Sequence, residues 1–169
     1  GLFLLKRLDD AVKASDRILG VIRAIGLSND VGGSLLNPDS EGQLRAMRAA
    51  YAEAGWSASS VELFECHGTG TPRGDEVELH SLRSLWGDAP GRAAIGSVKG
   101  NVGHLLTGAG AAGLSKVLLS LSHRTLPPAA QAEAGPASAL EGSPFRLLTQ
   151  PEPWSARADQ PRRAAVSAF

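Results

Sequence analysis

Two short apolar runs, VELFE at 61–65 and AAIG at 93–96, each lead through a glycine-bearing turn into a helix-forming stretch. This strand–turn–helix repetition limits the chain to folds in which strands and helices alternate in layers. SVELFECHG (60–68) predicts a short strand ending at Gly68. A helix should follow from about Asp75 to Trp86, with Val77, Leu79, Leu82 and Leu85 as its apolar positions. AAIGSVKGNVGH (93–104) predicts a strand, carrying Lys99, that runs into a tight turn. LLTGAGAAGLSKVLLSLSH (105–123) is apolar nearly all round and rich in small residues, so it predicts a buried helix.

The flanking regions read less sharply. GLFLLKRL (1–8) suggests a strand before a short polar helix, and RILGVIRAIGLSND (17–30) a long strand. Turn residues crowd 29–40. Ser40 is placed to cap a helix over 41–54 with Leu44, Met47, Ala50 and Tyr51 on one face, closed by Gly55. From Arg124 to Arg163 the chain is rich in Pro, Ala and Glu, with one strand expected at PFRLL (144–148). RRAAVSAF (162–169) reads as a last strand. The chain does not begin with methionine and stops within that strand, which suggests truncation at both ends.

At 169 residues this is enough for one ordinary domain, with the 43% apolar and 20% charged content of a globular protein. A formal net charge of zero leaves no electrostatic footprint for nucleic acid or an anionic membrane. The opening apolar run is too short for a signal peptide or a membrane span. A single cysteine fits a reducing compartment such as the cytoplasm.

Cys66 stands beside His67, yet in a strand adjacent side chains point to opposite faces. They therefore cannot serve as nucleophile and base, and Cys66 reads as a small, half-buried, inert thiol. His67 sits at a strand-to-glycine junction, where sheet loops commonly carry function. His104 occupies a similar junction, so the two histidines could converge on one pocket, or each could be merely structural. Lys99 and Glu78 are either two exposed charges or a buried ion pair orienting that site. GAGAAG (108–113) matches G-x-G-x-x-G but does not directly follow an apolar strand, and no acidic residue follows at the spacing a dinucleotide needs. GTGTPRG lacks the Lys-Ser/Thr of a P-loop. His67, Asp75, Glu78 and His80 show no recognised metal-ligand spacing.

VELFECHGTGTPRGDEVE and IGSVKGNVGHLLTGAGAAGLSKVLLSLSHRTLPP closely resemble the two histidine signatures of β-ketoacyl synthases. The match is nearest to the ketosynthase domains of modular type I polyketide and related fatty-acid synthases. The resemblance runs through almost the whole chain and implies an α/β, thiolase-like layered fold, of which residues 1–169 would be the C-terminal half. It implies decarboxylative condensation of an acyl thioester with a malonyl-type extender carried on acyl carrier protein. His67 and His104 match the two family histidines, Lys99 the lysine and Glu78 its usual carboxylate partner. Thr69 and Thr71 match the threonines that bind the phosphopantetheine arm. No metal or bound cofactor is implied; the partners would be acyl carrier protein, a second copy in a homodimer and the N-terminal half of the domain. The nucleophilic cysteine would lie before Gly1 and a glycine-rich loop after Phe169, leaving this chain inactive alone and with exposed apolar surface.

Three positions depart from the pattern: Glu76 replaces the usual proline, Gly100 a serine-like residue, and Cys66 an alanine. Three alternatives stand beside condensation. One is a non-elongating decarboxylase or chain-length partner, another a thiolase-superfamily acyltransferase acting on free coenzyme A esters, and the last a pure binding module.

Overall fold

The computed structural model describes residues 1–29, 31–32, 38–130, 140–157 and 160–168. At its centre four strands lie side by side in the order β4–β2–β1–β6, every neighbouring pair parallel. They are β1 (Leu63–Glu65), β2 (Ala93–Gly96), β4 (Phe145–Arg146) and β6 (Ala164–Val166). In register, Leu63 faces Ala94 on one side and Ala164 on the other, while Phe64 faces Ile95 and Ala165. A parallel sheet is covered on both faces, and apart from Glu65 and Arg146 these short strands are correspondingly apolar.

Alternation along β1 divides the core in two. Phe64 and Cys66 point to one side, where they join Ile95, Leu82, Trp86 and Phe145. The rings of Phe64, Trp86 and Phe145 meet edge-on or tilted, with centroids 5.3 to 6.2 Å apart. Leu63 points the other way, onto Val117, Leu126, Leu148 and Trp154. The first side is covered by α3 (Pro72–Trp86), on which α2 (Ser40–Ala54) packs; the second by α5 (Ala109–His123).

Local chemistry sets the helix limits. Asp39, not Ser40, is the N-cap of α2: its carboxylate accepts the Glu41 N–H at 3.2 Å, and Ser40 is already helical. Gly55 ends that helix in the left-handed region, as expected. The next helix, α3, starts at Pro72 rather than near Asp75, because proline at the first helical position has its φ preset and loses no hydrogen bond. In α5 the expected all-round burial is not reached: Ala109, Gly113, Val117 and Ser120 form a buried stripe, whereas Leu119 is 59% exposed.

Other expectations need correction. Residues 1–7 and 17–29 are not strands; they pair with no strand among the described residues, and α1 (Leu8–Lys13) stands between them. Leu2, Leu4, Leu5 and Leu27 are exposed, which accords with the apolar surface anticipated. The Pro- and Ala-rich region holds more than one strand, since β3 (Thr125–Leu126) and β5 (Glu152–Pro153) form an antiparallel pair. Two residues each gave no periodicity to read. Half of the turn expected over 29–40 falls outside the described residues, as does Phe169. No helix among the described residues is long and apolar enough to cross a membrane.

Gly26 shows how the 17–29 segment is seated. A Cβ there would stand 1.8 Å from the Ala46 carbonyl oxygen of α2, so only glycine permits this approach. Gly26→Ala is expected to lift the segment off α2. Tryptic cleavage at Arg17 and Arg23 should then quicken while the rest of the chain is cut as before; unchanged cleavage would show that the contact does not hold the segment.

Candidate active site

Strands β1 and β2 are parallel neighbours, so their C-terminal ends open on the same side of the sheet. His67 follows β1 by two residues. The chain leaving β2 turns through Ser97 and Val98 into the one-turn helix α4 (Lys99–Val102), then reaches His104 by way of Gly103. Lys99 is therefore the first residue of a helix and not part of the strand. Two glycines make the turns possible. Gly68 has φ +41°, and a Cβ on it would meet the Ser97 side chain at 2.8 Å; Gly103 has φ +75°.

The two imidazoles meet. Their ring centroids are 5.5 Å apart and their planes 80° to each other. His104 Nδ1 accepts the Leu106 N–H at 3.0 Å, which puts the proton of the neutral ring on Nε2. Leu106 adopts φ +50°, a conformation a leucine rarely takes, in the 3₁₀ turn Leu106–Gly108 that precedes α5. Burial, and after it the Lys99 ammonium and His104, push the His67 imidazole down to about 4. His67 is thus neutral at physiological pH.

The backbone of His67 is held at both ends. Glu78, 4% exposed on α3, spans the turn with its carboxylate: Oε1 accepts the His67 N–H at 2.7 Å and Oε2 the Gly68 N–H at 2.8 Å. Lys99 Nζ donates to the His67 carbonyl at 2.5 Å, and Ser97 Oγ donates to the same oxygen at 3.3 Å. The expected Glu78–Lys99 ion pair is not formed; each grips one side of the His67 peptide instead. Burial raises the Glu78 carboxyl despite the two hydrogen bonds it accepts.

Thr69 and Thr71 lie on the loop between His67 and α3 with their hydroxyls 3.1 Å apart. Asp75 steadies that loop by accepting the Gly70 N–H at 3.2 Å. Cys66 is more deeply buried than the half-burial expected and lies in the core on the α3 side. Burial, then the carboxylates of Glu78 and Glu65, raise its thiol well above the usual range. Sequence reading missed Ser97, Leu106 and the anchoring work of Asp75. The serine between the AAIG strand and Lys99 could have been singled out; nothing in the sequence marks Leu106.

Comparison with known proteins matches residues 19–133 to the family described as beta-ketoacyl synthase, C-terminal domain. A mycocerosic acid synthase-like polyketide synthase of Mycolicibacterium smegmatis is 41% identical over 98% of the chain, which spans 8% of that protein. A highly reducing polyketide synthase of Aspergillus terreus is 38% identical over 98% of the chain, which spans 6% of it. Among solved structures, the ketosynthase from module 6 of the bacillaene synthase of Bacillus subtilis 168 superposes with a TM-score of 0.89 at 37% identity. That match covers 97% of this chain and 31% of the other. An oxazolomycin ketosynthase domain of Streptomyces albus gives 0.90 at 36% identity, covering 97% and 30%. The fold is thus the α/β, thiolase-like one of ketosynthases, represented in part.

Two outcomes follow for the site. With a folded-state value near 4, below the unfolded histidine's ~6.5, His67 gives stability that is complete above the higher value. That stability is lost as pH falls toward the lower one, because the unfolded chain takes up the proton first. An NMR titration of its ring should have a midpoint near 4; a midpoint near ~6.5 would mean the ring is solvated and unperturbed. Glu78→Gln turns an NH2 toward one of the two backbone N–H groups, and should lower stability by about 1–3 kcal/mol in urea denaturation.

Proposed function

The chain belongs to the β-ketoacyl synthase family, and on that premise we propose that it supplies the decarboxylating half of a ketosynthase site. The substrates would be an acyl group and a malonyl-type extender, both carried as thioesters on the phosphopantetheine of acyl carrier protein. The observation that carries this reading is the meeting of two imidazoles, one with its tautomer set by Leu106 and the other kept neutral by burial and Lys99.

Decarboxylation breaks the bond between the extender's α-carbon and its carboxylate. Carbon dioxide leaves, and the electron pair passes to the thioester, placing negative charge on its carbonyl oxygen as an enolate. Neutral imidazole N–H groups aimed at that oxygen stabilise the charge as it develops. The enolate carbon then attacks the acyl thioester held on a cysteine elsewhere in the complete domain. A carbon–carbon bond forms, and the thiolate leaves. The hydrogen bond from Leu106 leaves the Nε2–H of His104 for the donor role, and the neutral ring of His67 suits the same role. Lys99 orients His67 through its carbonyl and adds positive potential. Thr69 and Thr71 would hydrogen-bond the phosphopantetheine arm.

Acyl carrier protein as carrier, a homodimer as the assembly and the cytoplasm as the location belong to the same proposal. Within it, this chain without the rest of its domain does not condense.

The test uses the complete synthase. His67→Ala and His104→Ala should each lower condensation more than ~10-fold, in keeping with the ~10²–10³ typical of losing one such donor. Cys66→Ala should leave it unchanged. Full activity in either histidine variant, or a comparable loss on changing Cys66, would overturn the assignment.

A further inference from the structure

Glu65 ends β1 on the face opposite Cys66 and is 2% exposed. A buried carboxylate persists only where it is paired and hydrogen-bonded. The two oxygens of Glu65 go to different elements. Oε1 accepts the Val98 N–H. Oε2 makes no hydrogen bond of good geometry and is held by charge, 2.7 Å from Lys116 Nζ on α5.

Two glycines leave room for this pair. A Cβ on Gly113 of α5 would come 3.1 Å from Glu65 Cγ, and one on Gly96 would come 3.3 Å from Lys116 Nζ. What the pair holds is the segment between the two histidines. Val98 immediately precedes Lys99, whose ammonium reaches the His67 carbonyl, and α4 then carries the chain to His104.

We propose that the Glu65–Lys116 ion pair is a positioning device for decarboxylation, fixing the Val98 turn so that Lys99 and His104 are presented to His67. The role rests on the function proposed above. An ionised carboxylate accepts at both oxygens, so one side chain can bind the lysine and the turn together. Removing the lysine leaves a buried charge that must find another partner, and the N–H of Val98 loses its fixed acceptor. In the function proposed above the acyl group is held on a cysteine elsewhere in the domain, so its loading should not depend on the pair.

The test measures two partial reactions of the complete synthase separately: carbon dioxide release from malonyl carrier protein, and acyl transfer onto the nucleophile. Lys116→Met should lower kcat for carbon dioxide release by about tenfold or more, with KM and acyl transfer within about twofold of the parent. Lys116→Arg should restore most of the rate. If Lys116→Met yields too little folded protein, Gly113→Ala decides, since alanine favours the helix while its methyl displaces Glu65. It should show the same split at smaller size. Equal loss of both partial reactions, or no loss in a folded variant, would reduce the pair to a strut of the fold. A parent enzyme that loads acyl groups but releases no carbon dioxide overturns the functional reading, and this role with it. Where the parent does release carbon dioxide, absence of the split in the variants overturns this role alone.

Discussion

The parallel pairing of β1 with β2 is the constraint on which everything else rests. It sets Glu65 opposite Gly96, and so places the two exits from the sheet side by side. Each exit then has its own means of bending the chain back, glycine at 68 and at 103. An antiparallel pairing of the same two segments would send His67 and His104 to opposite ends of the sheet. The site is therefore a property of strand direction before it is a property of any side chain.

Around that frame the buried charges are used to grip backbone. Glu78 takes two N–H groups of the first turn, Lys99 takes its carbonyl, and Glu65 takes an N–H of the second turn. This differs from the ion pair that a lysine and a glutamate suggest on paper. A carboxylate receiving two amide protons has spent its acceptors in a fixed direction. The lysine donates to the His67 carbonyl instead.

The apolar periodicity made the central strand–helix units legible, and the two long motifs made the family legible. The strand-to-glycine junctions brought both histidines into view as a pair. What could not be read depends on partners distant in sequence. Residues 17–29 have strand chemistry, but chemistry alone does not provide a neighbour to bond with, and among the described residues none is present. Strands β3 and β5 are only two residues each and have no pattern of their own. Lys99 looked like a continuation of β2, because nothing in SVKGN announces that the backbone has already turned helical. Leu106 carries a required backbone bend in a side chain that gives no sign of it.

That bend has a consequence for how protons move. A histidine passes a proton through its ring only if one nitrogen can receive while the other gives. In His104 the receiving nitrogen is already occupied by an amide proton from Leu106, and an amide has none to exchange on a catalytic timescale. The ring is therefore a terminus rather than a relay, a fixed dipole whose proton is offered and taken back on one side only. While that hydrogen bond stands, no proton can be handed across this ring from one nitrogen to the other.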